Sequence, residues 1–100
     1  MDDKFDKRLA PSGDAIASAV GDETVILQLK NGAYFGLDAV GTRIWELLKE
    51  GRSSASICAQ MAEEYEVAPG VLEVDVRRLL GELQANEIVT EPGRAGDEWD

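Results

Sequence analysis

One hundred residues with 44% hydrophobic content suffice for one domain with one modest core and leave no room for a second. Twenty acidic against ten basic residues give a net charge of −10, and the cations are scattered from Lys4 to Arg94, a balance that repels nucleic acid and anionic membranes. The chain has no histidine and a single cysteine, Cys58, which excludes an intrachain disulfide, leaves no ordinary metal-ligand set or cofactor motif, and fits the cytoplasm.

Residues 1–13 mix charges with Pro11 and Gly13 and read as a flexible segment, as does the acidic tail 91–100 that carries Trp99. No apolar run suits a signal peptide or a membrane span. Between the two ends, residues 14–90 read as the folded domain.

The first strand is expected over Ala15–Val20, followed by a type II′ turn at Gly21-Asp22 and a strong central strand from Glu23 to Lys30. Asn31-Gly32 predicts a two-residue type I′ hairpin, and Ala33 to Leu37 a third strand at the sheet edge. That turn sets Leu29 opposite Tyr34, Gln28 opposite Phe35 and Ile26 opposite Leu37. Val25, Leu27, Leu29 and Tyr34 then share a face, which is expected to be the core side because Thr24, Gln28 and Lys30 lie on the other.

Asp38 predicts the N-cap of a helix reaching about Glu50, with Val40, Ile44, Leu47 and Leu48 as its apolar stripe and Gly51 as its stop. Ser53 or Ser54 caps a second helix in which Ile57, Met61 and Tyr65 share a side with Cys58 and Ala62. Pro69 opens a third helix running to about residue 86, with Ala68 as a weak cap. The order is βββααα: an α+β fold, a winged helix-turn-helix-like domain with a three-stranded antiparallel meander followed by three helices.

Two features point to binding. Ala33-Tyr34-Phe35-Gly36-Leu37 carries neither charge nor proline, whereas natural edge strands are usually blunted against pairing. The third helix has a core stripe of Leu72, Val76, Leu79, Leu80 and Leu83 and a second non-polar face of Val71, Val74, Arg78, Gly81 and Ala85. Gly81 in a helix interior suggests close packing there, and Asp75, Glu82, Glu73 and Arg77 flank that face. The strand edge is either covered by a helix, by the N-terminal segment or by its copy in a homodimer, or else it lies open beside the two-faced helix and makes a groove suited to one extended peptide. Trp45, about 100° round the first helix from the Ile44 row, reads as a flank of the core, with walling one end of that groove as the alternative.

Catalytic sets are missing from the reading. Glu63, Glu64 and Glu66 diverge around a helix and read as solvated surface, and Cys58 in an apolar stripe reads as a small buried hydrophobe. A binding module without chemistry of its own is therefore expected, either a monomer or a weak homodimer.

The run ETVILQLKNGAYFGLDAVGTRIWELLKEG, the helix ending in EEYEV, and PGVLEVDVRRLLGELQANEIV together resemble the PqqD-like peptide chaperones, or RiPP recognition elements. The likeness covers about residues 14 to 90. It implies that the domain binds the leader region of a ribosomally made precursor peptide as a strand added to the third strand, in the cleft beside the third helix, for a separate modifying enzyme or leader peptidase. On that resemblance Tyr34, Phe35, Gly36 and Leu37 supply the strand edge, and Val74, Asp75, Arg78 and Gly81 the helix side. Members serving pyrroloquinoline quinone biosynthesis typically carry a Pro-Glu-type stretch where this chain has Leu29-Lys30-Asn31-Gly32. The chain is more similar to the stand-alone elements of lasso-peptide clusters, which work with a leader peptidase and a cyclase.

Overall fold

The computed structural model describes residues 8–91. Its elements are β1 (Ala10–Pro11), β2 (Ala15–Val20), β3 (Glu23–Gln28), β4 (Ala33–Leu37), α1 (Ala39–Lys49), α2 (Ser54–Tyr65), α3 (Pro69–Ala85) and β5 (Val89–Thr90). The meander β2-β3-β4 followed by three helices is the expected α+β order, to which a small β1-β5 sheet is added. No described helix is long and apolar enough to cross a membrane.

Local chemistry sets the helix ends. The Asp38 carboxylate accepts from the Gly41 N–H at 2.8 Å and so holds one of the donors left free at the start of α1. Gly41 is tightly placed, since a Cβ there would stand 3.3 Å from both Asp38 Oδ1 and Leu37 Cδ2. Ser53 caps α2 by accepting from Ser56 N, and α3 begins without a side-chain cap. Between them Gly51 leaves α1 at φ 90°, a conformation that favours glycine.

The first hairpin is a two-residue turn pairing Val20 with Glu23, and Gly21 alone has positive φ, the type II′ pattern. The second departs from expectation. Residues 29–32 form a four-residue loop that pairs Gln28 with Ala33, closed by Gly32 N donating to Gln28 O at 2.8 Å. Tyr34 therefore faces Leu27, Phe35 faces Ile26 and Leu37 faces Thr24, two residues from the expected register. Polar anchoring at Gln28 explains the longer loop: its Oε1 accepts from Lys30 N at 2.9 Å and its Nε2 donates to Glu87 O at 2.6 Å.

A two-residue shift leaves each face with the same side chains, so the second correction concerns which face is the core. Thr24, Ile26 and Gln28 are buried at 5%, 0% and 1%, whereas Val25, Leu29 and Tyr34 are exposed. The buried polar groups are satisfied: Gln28 as above, and Thr24 Oγ1 by accepting from Thr42 Oγ1 at 2.9 Å. The inner face packs Ile26 and Leu37 against Ile44, Leu47 and Leu48 of α1, with Ile57 and Met61 of α2 and Val76, Leu80 and Leu83 of α3 completing the core. Tyr65, expected on the α2 core stripe, is exposed in its last turn.

The flexible reading of residues 1–13 does not hold for the described part. Leu9 is buried, β1 pairs with β5 through Ala10↔Thr90 and Pro11↔Val89, and Ser12 N donates to Ile88 O. Isolated apolar side chains among charges set no periodicity, yet burying Leu9 with Ile88 and Val89 ties both ends of the domain to the helices. Residues 1–7 and 92–100, including Trp99, lie outside the described residues.

Candidate functional site: the β4 edge and its groove

In an antiparallel ladder each residue's backbone bonds point to one side only, alternating along the strand. Leu29 N donates to Asp14 O at 2.8 Å, which makes that pair a bonded one and, by alternation, Ile16 with Leu27 and Ser18 with Val25 as well. Thr24, Ile26 and Gln28 then bond toward β4, to Leu37, Phe35 and Ala33. The N–H and C=O groups of Tyr34 and Gly36 are left pointing away from the sheet. Among the described residues no strand pairs with that side of β4.

Beside this edge runs a groove of about 460 Å³. Phe35, Gly36 and Leu37 of β4 form one wall, Asp38, Val40, Gly41 and Ile44 the base, and Asp75, Arg78, Leu79 and Glu82 of α3 the other wall. Its floor is apolar, since Leu37 and Ile44 are buried and Phe35, Val40 and Leu79 half-buried against the core. Its far lip is charged: Arg78 Nη2 lies 3.4 Å from Asp75 Oδ1, one helical turn away, and both are exposed.

Of the residues singled out in the sequence, Phe35, Gly36, Leu37, Asp75 and Arg78 come together in this groove. Tyr34 contributes its edge backbone while its side chain, 72% exposed, lies on the outer sheet face. Val74 and Gly81 of α3 are exposed beyond the lining, and a Cβ at Gly81 would meet nothing among the described residues, so none of these packs closely there. Glu82, read as flanking the second face of α3, lines the groove as well; missed as lining were the α1 residues and Leu79. Asp75, Arg78, Leu79 and Glu82 fall at i, i+3, i+4 and i+7, one stripe of a helix. That spacing was readable, but Leu79 had been given wholly to the core.

Trp45 does not wall this groove. It is 3% exposed and lines a different cavity of about 570 Å³, between the β2 side of the sheet, α1 and the end of α2. Arg43 spans that region, its Nη2 2.7 Å from Glu64 Oε2 and its Nη1 3.1 Å from Glu46 Oε1. The hydrogen bond from Arg43, helped by one from Gln60, lowers the Glu64 carboxyl to about 2, while Glu64 and Glu46 together raise the Arg43 guanidinium further.

Cys58 is buried, and loss of hydration pushes its thiol up, with Glu73 adding to the effect, so it is held protonated. Among the described residues no group of three or more His, Cys, Asp or Glu side chains is arranged to hold a metal ion. What the groove can do is accept an extended backbone along β4 and take alternate side chains onto an apolar floor.

Two solved structures resemble this chain. A structure described as "TbiB1 in Complex with the TbiA(beta) Leader Peptide" is 40% identical over 80% of this chain and 93% of that one, with a TM-score of 0.76. A second, "Lasso peptide synthetase B1 complexed with the leader peptide", shares the fold at 23% identity and a TM-score of 0.76, covering 83% and 98% of the two chains. No curated protein matches the chain. The signature of the family described as Coenzyme PQQ synthesis protein D (PqqD) spans residues 23–89, and the chain belongs to that family.

Proposed function

We propose that this domain captures the leader of a ribosomally made precursor peptide as an added strand on β4 and presents it to a separate enzyme, contributing no catalytic group itself. The observation that carries the reading is the unpaired backbone row at Tyr34 and Gly36 above an apolar groove. The leader's main chain supplies bonds to that row, and its alternate side chains enter between Phe35, Ile44 and Leu79. Asp75 and Arg78 on the lip of α3 fix its register. The 40% identical neighbour's description as a leader-peptide complex supports this assignment.

A lasso-type precursor is favoured over a role in quinone biosynthesis. The loop Leu29-Lys30-Asn31-Gly32 lacks the Pro-Glu pattern of the quinone members, and the second structural neighbour, itself a lasso peptide synthetase B1, shares the fold. The expected partners are the leader and a leader peptidase or other modifying enzyme, in the cytoplasm.

Titration with the fluorescein-labelled leader of the cognate precursor tests the reading. A Kd of about 1 μM or tighter, roughly −8 kcal/mol, is expected, with amide shifts concentrated at Tyr34 to Leu37. Gly36→Pro is the decisive variant. Its outward N–H makes no bond within the sheet, so an edge proline leaves the ladder intact while deleting a donor to the leader. Binding should weaken at least tenfold with an unchanged melting temperature; undisturbed amides along β4 would refute strand addition.

A further inference from the structure

β4 is one edge of the three-stranded sheet, and β2 is the other. The bonded pairs of β2 with β3 are Ile16 with Leu27 and Ser18 with Val25, so the N–H and C=O groups of Ala17 and Ala19 point away from the sheet. Among the described residues no strand pairs with that side. Ala15-Ile16-Ala17-Ser18-Ala19-Val20 carries neither charge nor proline, so nothing within it blunts the edge against pairing.

The space beside this edge is unfilled as well. Ala17 and Ala19 lie opposite Ile26 and Thr24 and share their face, which the helices bury, yet both alanines are exposed. They form one side of the cavity of about 570 Å³, whose other side is Thr42, Arg43 and Trp45 of α1 with Tyr65 of α2. Trp45 adds a polar demand: its indole N–H is buried and has no acceptor among the described residues.

We propose that the β2 edge and this cavity form a second strand-addition site, which takes an extended segment of another protein with large apolar side chains toward α1 and Lys or Arg at its ends. The backbone rows of Ala17 and Ala19 bond the main chain of that segment, and every second side chain enters the cavity. An oxygen carried in with them finds the Trp45 N–H as its donor. Size and charge choose this occupant over a second copy. A copy pairing through its own β2 brings only alanine methyls to this face, which leave a cavity of that volume unfilled. Arg43 is held by Glu64 and Glu46, so the remaining charges of the lining are Lys49 against Asp22 and Glu23, a net negative rim on a chain of net charge −10. α1 separates the site from the leader groove: Gly41 and Ile44 line the groove, Thr42 and Trp45 the cavity. The proposal therefore stands apart from leader capture.

The test uses the full chain carrying Trp99→Phe, which leaves Trp45 as its one tryptophan. The probe is a capped Lys-Phe-Thr-Phe-Thr-Phe-Lys peptide. Expected are a Kd of about 100 μM or tighter, a shift in Trp45 emission and amide shifts at Ala17 and Ala19. The same peptide with Glu at both ends should bind at least tenfold more weakly. Ala19→Pro deletes an outward N–H, leaves the β2-β3 ladder intact, and should weaken binding at least tenfold at an unchanged melting temperature. Asp22→Lys reverses the rim charge without touching the strand and should weaken the Lys-ended peptide severalfold, while Val71→Lys, exposed on α3, should leave its affinity within twofold. Amide shifts that spare Ala17 and Ala19, or that appear along Tyr34 to Leu37 alone, overturn the proposal, as does equal binding of the Lys- and Glu-ended peptides. A wild-type dimer in light scattering that Ala19→Pro dissociates overturns it too, since a copy then covers the edge. Leader binding is read separately at β4, and its failure leaves these outcomes standing.

Discussion

Of the two faces of the β2-β3-β4 sheet, the more polar one along β3 is the buried one. Along β3 the inner face presents Thr24, Ile26 and Gln28 and is sealed by helices, while the outer face presents Val25 and Leu27 and stands open. The difference shows that hydrogen-bond satisfaction can decide burial where apolar content is similar. Thr24 is tied to Thr42 of α1, and Gln28 to the Glu87 carbonyl beyond α3, so each polar residue locks the sheet to a helical segment. The outer face has no such ties, and its apolar side chains stay exposed.

That contrast is sharpest in a pair of truncations. Ile26→Ala, on the sealed face, should lower unfolding stability by about 2–5 kcal/mol, whereas Leu29→Ala, on the open one, should change it by less than about 1 kcal/mol. Chemical denaturation of both variants reads the difference, and equal losses would mean that the outer face is covered in the free chain. Next in size is Gln28→Leu, which makes the inner face more apolar and yet should destabilise by about 1–3 kcal/mol, because the Glu87 carbonyl and the Lys30 N–H lose their partner. A stabilised Gln28→Leu would break the claim that these bonds choose the face.

The same contrast explains what the sequence disclosed. Element order, the Asp38 and Ser53 caps and the Gly51 stop were readable because local chemistry determines them. The β4 edge was readable as well, from its lack of charge and proline. The core face was not, since Gln28 is anchored by a residue 59 positions away and no local pattern carries that information. The Asn31-Gly32 turn failed for the same reason: Gln28 holds Lys30, and a four-residue loop displaces the local I′ preference. On α3 the groove stripe lies about one residue around the helix from the expected face. Asp75, Arg78 and Glu82 were therefore found, while Leu79 was given to the core alone.

The smallest expected effect lies away from the leader groove, where Arg43 of α1 grips Glu64 of α2 beside the second cavity. Glu64 is held at about 2, below its ordinary 4.5, mainly by the Arg43 hydrogen bond. A depressed carboxyl stabilises the fold above its unfolded value and loses that contribution as pH falls through its folded value. The α1–α2 tie should therefore be intact above about pH 4.5 and fade between there and pH 2. Since the pair is partly solvated, the effect is small and weakens with salt. Melting temperatures of wild type and Glu64→Gln from pH 6 to 2 provide the check. The gap between them should narrow through that window, and a gap that stays constant would show that the ion pair adds nothing to the packing of α1 on α2.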